Sequence, residues 1–233
     1  MLKSAARLCK SLGTLEKNYR AEIMATETEL KLQLHAADLE RLRIHPLLQA
    51  AEAGGVKTLL NTYYDSPELL LAQSRVAVRL RHQGNRIIQT LKTSGQSVNG
   101  LHQRGEWEWD LQQAELDTGL LSGEGWPASL PPAGELDWVA VFTTNFEREI
   151  WLLSYQGAEI EVALDQGLIR CDCPEGGHLE DEILELELEL KSGEAEALLA
   201  LAEDLGQTLS LQPFDLSKAQ RGYQLFRQCC SSH

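Results

Sequence analysis

Along residues 26–34 the side chains alternate strictly, with Thr28, Leu30, Leu32 and Leu34 on one parity and Glu27, Glu29, Lys31 and Gln33 on the other. A strand sends successive side chains to opposite faces, so the segment predicts a strand with one apolar and one charged face. The pattern recurs. Arg75, Arg79 and Arg81 oppose Val76, Val78 and Leu80; Arg86, Thr90 and Lys92 oppose Ile87 and Leu91. Arg104, Glu106, Glu108 and Asp110 oppose Trp107, Trp109 and Leu111. Residues 145–153 read as extended and carry Arg148. Glu159, Glu161 and Asp165 oppose Ile160, Val162 and Leu164, and Glu185, Glu187 and Glu189 oppose Leu184, Leu186, Leu188 and Leu190.

An ordinary antiparallel sheet with its polar face in water accounts for any one of these strands. It accounts less well for the set, because a solvated face usually mixes Thr, Ser, Gln, Lys and Glu. Here whole strands are nearly all Arg or nearly all Glu. Strands of single-sign charge predict two charged walls facing each other across the polar lumen of a closed or nearly closed barrel. The apolar faces then point outward, and helices must cover part of them. The expected fold class is α+β, mainly β.

The connections are less regular. Residues 38–53 have a helical pattern, with Leu39, Leu42, Leu47 and Leu48 as apolar positions and Pro46 as a break. Residues 61–65 read as a short strand and 67–73 as a helical turn or two. The stretches 94–100, 117–137 and 171–181 read as loops. Ser192 predicts the N-cap of a helix over 194–205 stopped at Gly206, and Ser217 that of a helix over 218–228, with Lys218 and Arg221 on one side.

Composition adds limits. The chain has 233 residues, is 43% hydrophobic and 24% charged, and carries a net charge of -14. This suits one large β-rich domain. Residues 1–23 are basic and look appended, with Met24 an expected true start, so the domain is placed at 24–230. So acidic a body argues against a nucleic-acid surface, and no apolar run reaches membrane-spanning length. The cysteines, Cys9, Cys171, Cys173, Cys229 and Cys230, are odd in number and make no C-x-x-C pair. That argues against a disulfide framework and fits a reducing cytoplasm. Cys171 and Cys173 lack a second pair to complete a soft-metal site in the sequence. Zinc-protease, zinc-finger, P-loop and G-x-S-x-G patterns are absent from it.

The charged faces suggest a chemistry. Arg75, Arg79, Arg81, Lys92, Arg104, Arg148, Lys218 and Arg221 together suit a polyanion, since Arg grips phosphate oxygens bidentately and Lys as a point charge. Carboxylates such as Glu27, Glu29, Glu187 and Glu189 suit Mg2+ or Mn2+ shared with substrate phosphates. Phosphoryl transfer needs mainly such positioning and charge neutralisation. Each set taken alone also reads as a solvated strand or helix face.

The joint pattern resembles the CYTH superfamily, the triphosphate tunnel metalloenzymes. Glu27-x-Glu29-x-Lys31 matches the opening signature. Arg79-Leu80-Arg81, Lys92, Arg104-x-Glu106, Arg148, Asp165, Glu187-x-Glu189 and Lys218 follow in family order. The segments 101–104, 163–167, 185–190 and 216–223 look like the bacterial inorganic triphosphatase branch. The resemblance implies an eight-stranded antiparallel β tunnel with flanking helices and a linear triphosphate as substrate. It implies phosphate binding by Lys31, Arg79, Arg81, Lys92, Arg104, Arg148 and Lys218. It also implies a divalent metal on Glu27, Glu29, Asp165, Glu187 and Glu189, with Glu161 nearby. Glu27, Glu29, Lys31, Glu187 and Glu189 would be the catalytic set; Arg75, Glu106, Glu185 and Arg221 carry over less firmly. Relatives of this branch often continue into a helical CHAD domain; this sequence ends at His233, and nothing from that domain is carried over.

The leading expectation is hydrolysis of inorganic triphosphate. Its rivals are a thiamine or nucleoside triphosphatase, an adenylate cyclase of the same superfamily, a non-catalytic polyphosphate- or nucleotide-binding module, and a structural scaffold.

Overall fold

The computed structural model describes residues 22–231, so all but the last two residues of the basic 1–23 extension lie outside the described residues. The strands are β1 Glu22–Gln33, β2 Glu52–Asp65, β3 Ala77–Gln83, β4 Arg86–Lys92, β5 Gln96–Val98, β6 Leu101–Leu111, β7 Val139–Tyr155, β8 Ala158–Asp172, β9 His178–Ser192 and β10 Gln212–Pro213. The α-helices are α1 Leu39–Arg43, α2 Pro46–Gln49, α3 Leu70–Gln73, α4 Glu196–Gly206 and α5 Lys218–Ser231.

Every pairing is antiparallel. The strands run side by side in the order β1-β9-β8-β7-β2-β3-β4-β6, and β6 pairs back onto β1, so eight strands close into a barrel. β1 makes the closure by changing partner along its length. Residues up to Leu30 pair with β6, and Glu29 to Gln33 pair with β9. β5 and β10 are short additions outside the ring.

The alternation places the faces as the sequence predicts. The apolar sides point outward and are covered in two places. Leu42 and Leu48, with Leu198, Leu201 and Leu205 of α4, pack on Leu30, Leu32, Ile160, Val162, Leu164, Leu186 and Leu188. On the opposite wall, Leu121, Leu130 and Ala133 from the irregular segment between β6 and β7 pack on Val78, Leu91 and Trp109. A fully buried side chain of this size contributes roughly 2 kcal/mol relative to exposure, so these covers stabilise the barrel from outside and leave its interior to charge.

α5 behaves differently. Its Tyr223 and Cys229 pack on Phe142, Ile169 and Ile183, which share the inward parity of Arg148, Asp165 and Glu185. The helix therefore lies across one end of the lumen. Gly222 permits the approach, because a Cβ there would lie 2.2 Å from the Phe142 ring.

Several sequence expectations change. The helix expected over 38–53 is two short helices, and β2 begins at Glu52, nine residues before the strand expected at 61–65. A register shift between Ala53 and Gly55, with Gly55 at φ +79°, hides that start from an alternation count. Ser192 is not a cap: β9 runs through it, and α4 is entered at Ala195 without a side-chain cap. Ser217 is one. Its Oγ accepts from Gln220 N at 3.2 Å, while Gln220 Oε1 accepts from Ser217 N at 2.8 Å, a reciprocal cap. The cysteine expectation is also corrected, since Cys173 and Cys229, far apart in sequence, form a disulfide.

Candidate active site

The barrel encloses a cavity of about 780 Å³. Its lining includes Glu27, Glu29, Lys31, Arg79, Arg81, Lys92, Arg104, Arg148, Glu187, Glu189 and Lys218; of the predicted site residues Asp165 does not reach it, nor do the less firm candidates Glu185 and Arg221. Asp165 is wholly buried directly behind it, paired to Arg148 and Lys218. Asp110 keeps the parity of Glu106 and Glu108 but lies near the exposed end of β6, where it pairs with Arg86 in solvent. Arg75 lines the cavity from outside β3, in the left-handed region at φ +56°.

Register explains the neighbours. Glu29, Glu189 and Glu161 are consecutive cross-strand partners on β1, β9 and β8, as are Glu185, Asp165 and Arg148 on β9, β8 and β7, and Lys31 and Glu187 on β1 and β9. Facing residues of this kind have Cβ atoms about 5 Å apart, close enough for their side chains to interact.

The innermost cluster is Asp165, Glu185 and Glu187, whose carboxylate oxygens lie within 4.8 Å of one another. Cations already fill it. Lys218 Nζ is 2.6 Å from Asp165 and 2.9 Å from Glu187 and also pairs with Glu185. Arg148 donates twice to Asp165, at 2.7 Å each, and also to Glu187. Lys31 pairs with Glu187 and, at 3.1 Å, with Glu29. Arg221 reaches Asp181 at 2.8 Å and Glu185 at 3.4 Å. Phe146 lies beneath, its ring centre 4.9 Å from Lys218 Nζ. Burial pushes the Glu187 carboxyl up, but Lys218, Lys31 and Arg148 outweigh it and hold Glu187 well below the usual carboxylate range. Burial likewise opposes the charge on Lys218, and Asp165, Glu185 and Glu187 overcome it and raise its pKa.

A second cluster lies towards β6. Glu27 accepts from Lys92 at 3.0 Å and from Arg104 Nε at 2.9 Å, and Arg104 also donates to Glu29 at 2.7 Å. Burial works against the Glu27 charge, but Lys92 and Arg104 hold its pKa well below the ordinary value. Lys92 also pairs with Glu106 at 2.8 Å. Burial lifts Glu106 to about 7, with Lys92 opposing and Glu27 adding to the rise. At the far end Glu189 has Lys191 at 2.7 Å. There burial raises the Glu189 pKa against Lys191, with Glu27 and Glu161 reinforcing the rise.

Arg81 stands apart. Its Nε donates to Asn61 Oδ1 at 2.8 Å, and among the described residues it makes no direct ion pair, although Glu108 attracts it from further away. Desolvation, then Arg79 and Arg148 beside it, push its pKa down to about 10. A guanidinium crowded by like charges calls for an anion.

Sequence reasoning missed Asn61, Tyr63, Lys57 and Lys191, all tied to this lumen. Lys57 lies in the unpredicted start of β2; Asn61 and Tyr63 share its inward parity, a signal that the longer strand would have exposed. Lys191 continues the Glu185–Glu189 parity by one step.

The sequence profile of the CYTH domain family matches residues 25–223, most of the chain. The chain belongs to this family. The CYTH chain is 38% identical over 165 residues to an inorganic triphosphatase of Haemophilus influenzae, a match covering 71% of this chain and 45% of that protein. It thus spans less than half the length of that relative. Two solved structures share the CYTH fold. One, from Hippeastrum, is a candidate adenylyl cyclase described as having a dominant triphosphatase activity (TM-score 0.57, 17% identity, covering 87% of this chain and 95% of the other). The second is a protein from Pyrococcus horikoshii OT3 (TM-score 0.55, 18% identity, 85% and 98% covered).

Proposed function

We propose that this CYTH domain, residues 24–230, is a cytoplasmic metal-dependent triphosphatase that cleaves inorganic triphosphate to pyrophosphate and phosphate inside the lumen. One observation carries the reading. In a chain of net charge -14, the cavity is lined by eleven Lys and Arg side chains against seven Glu, an excess of four positive charges. Arg75, Lys191 and Arg227 are solvent-exposed and the other cations are at least half-buried, and an excess of that size matches a short polyanion better than a single phosphate.

In this reading Arg79, Arg81, Arg148 and Lys218 grip phosphoryl oxygens, with Arg81 the first to gain because no carboxylate pairs directly with it. Lys31, Lys92 and Arg104 bind from the β1–β6 side, and the carboxylates that now hold them would release part of each cation to the substrate. Glu27, Glu29 and Glu189, with Glu161 next to Glu189 in register, offer hard oxygen donors to Mg2+ or Mn2+. The burial that raises the Glu189 pKa is a cost a bound cation would relieve, so the donor set fits such an ion. Bound there, the metal would neutralise phosphoryl charge and acidify a water. Glu27 and Glu29 are themselves paired with Lys92, Arg104 and Lys31 and would turn to the ion as substrate draws those cations away. Asp165 and Glu187, the other two expected ligands, hold Arg148, Lys31 and Lys218, and in this reading they aim those cations. The carboxylate wall orients the attacking water opposite the leaving pyrophosphate. Inorganic triphosphate is the small polyanionic partner; nucleic acid and membrane are not part of the reading.

The cavity of about 780 Å³ has room beyond a bare triphosphate, which favours a thiamine or nucleoside triphosphate as the second reading. The test is phosphate release from inorganic triphosphate, ATP and thiamine triphosphate with Mg2+ and with Mn2+, using Glu29→Gln as control. Metal-dependent turnover of inorganic triphosphate, lost in the variant, is expected. Binding without turnover of any substrate would replace the enzyme with a binding module.

A further inference from the structure

Four of the five cysteines meet outside the lumen, where β8 ends against the last turns of α5. Cys173, just past β8, is disulfide-bonded to Cys229 of α5, and the Cys229 sulfur lies 3.9 Å from the Cys171 carbonyl oxygen. Cys171 is a buried free thiol, and Cys230 an exposed one next to the bond. Burial, with Cys230 adding to it, pushes the Cys171 thiol up, which makes it a poor nucleophile. Cys173 is half-buried, and the exposed residues 174–177 follow it, so a reductant can approach the bond from the β8–β9 turn.

The helix held by this bond is the one that inserts Lys218 into the Asp165–Glu185–Glu187 cluster and Arg221 against Asp181 and Glu185. Lys218 opens α5, and Cys229 lies about 16 Å further along its axis. Between them Gly222 rests on the Phe142 ring. One short rigid element is thus held by ion pairs in the lumen at one end and by a covalent bond at the other. In a reducing compartment a disulfide is more often transient or sensing than structural.

We propose that Cys173–Cys229 is a thiol-controlled latch on α5. Oxidised, it keeps Lys218 and Arg221 seated in the lumen; reduced, it lets the helix leave part of the time. The effect on substrate rests on the triphosphatase reading. The switching step is exchange with a dithiol reductant. One reductant thiolate attacks the disulfide and forms a mixed disulfide, and its second thiol displaces the remaining protein sulfur. Two electrons and two protons pass to Cys173 and Cys229, which become thiols, and the reductant becomes a disulfide. When only a fraction of the molecules is competent, the apparent dissociation constant rises by the inverse of that fraction. With a docked fraction of about one third as the working case, KM rises about threefold.

The test compares the full chain after oxidation and after dithiothreitol, with Cys173→Ser as the permanently unlatched form and Cys230→Ser as a control that keeps the bond. Differential alkylation with mass spectrometry reads the bond, hydrogen exchange reads residues 218–231, and steady-state kinetics with inorganic triphosphate reads KM and kcat. Reduction should speed exchange in α5 and raise KM about threefold, with a smaller change in kcat. Cys173→Ser should match the reduced protein and ignore dithiothreitol, and Cys230→Ser should behave as the parent chain. Failure to form the bond under oxidant, equal exchange of α5 in both states, or an unchanged KM would each overturn the latch. Absence of turnover in every form would sink the triphosphatase reading alone, because hydrogen exchange still decides the latch.

Discussion

Glu187→Gln removes the carboxylate shared by three buried cations, Lys31, Arg148 and Lys218. Breaking a buried ion pair by deleting one partner costs about 3–5 kcal/mol, because the other charge stays buried without it. Here each cation keeps a second acid: Glu29 for Lys31, and Asp165 for both Arg148 and Lys218. The cost should fall at the low end, about 3 kcal/mol. For a chain of this size that is a drop in Tm of about 6–12 °C. The pH dependence is specific. The folded-state pKa of Glu187 is depressed, so its stabilisation is fully present above the unfolded value of about 4.5 and is lost as pH falls through the folded value. The gap between parent and variant should be full at pH 7 and shrink below about pH 4.5. Urea titrations followed by tryptophan fluorescence, with EDTA and under fixed oxidising conditions, measure it across that range. A gap under about 1 kcal/mol at pH 7, or one independent of pH, would refute the charge argument.

Arg81→Gln should leave stability within about 1 kcal/mol of the parent, since Arg81 makes no ion pair and is crowded by Arg79 and Arg148. The same change should raise KM for inorganic triphosphate about 10- to 100-fold, the loss of one or two charged hydrogen bonds, and steady-state kinetics beside a thermal melt checks both halves. Glu106 is lifted by burial from the ordinary value of 4.5 to about 7, so its cost to stability is full above that pH and is relieved progressively as the pH falls from about 7 to 4.5. Metal-free binding of inorganic triphosphate should therefore tighten from pH 8 to 6 as the lumen gains positive charge. Calorimetry should show this component missing in Glu106→Gln.

The β1, β6 and β9 faces were legible because each strand alternates without interruption, and a period of two needs no partner to be read. Most of the inward set that follows from it, namely Glu27, Glu29, Lys31, Arg104, Glu106, Glu108, Glu187 and Glu189, lines the cavity, whereas Gln33, Asp110 and Glu185 of the same parity do not. Lys57 and the first half of β2 were not legible: Gly54 and Gly55 carry no side chain to show parity, and the register shift there breaks the count. The cap at Ser217 was readable as a local hydrogen-bond pattern. The apparent one at Ser192 was overridden when β9 kept pairing with β8 as far as that residue.

Local periodicity thus determined which side chains share a face, and the run of charge types determined that those faces would be costly to leave against an apolar core. Neither could say which carboxylate meets which cation. That depends on strand register and barrel closure, where Glu29 comes beside both Glu189 and His102 because β1 changes partners. Tertiary structure also decided that α5 enters the lumen, so that Lys218 pairs with Asp165 and Glu187, two of the five carboxylates that the sequence offered to a metal. It decided, too, that Cys173 meets Cys229 across 56 residues of chain. Ion pairing and disulfide formation depend on distances of a few ångströms between segments remote in sequence, and periodicity carries no information about those.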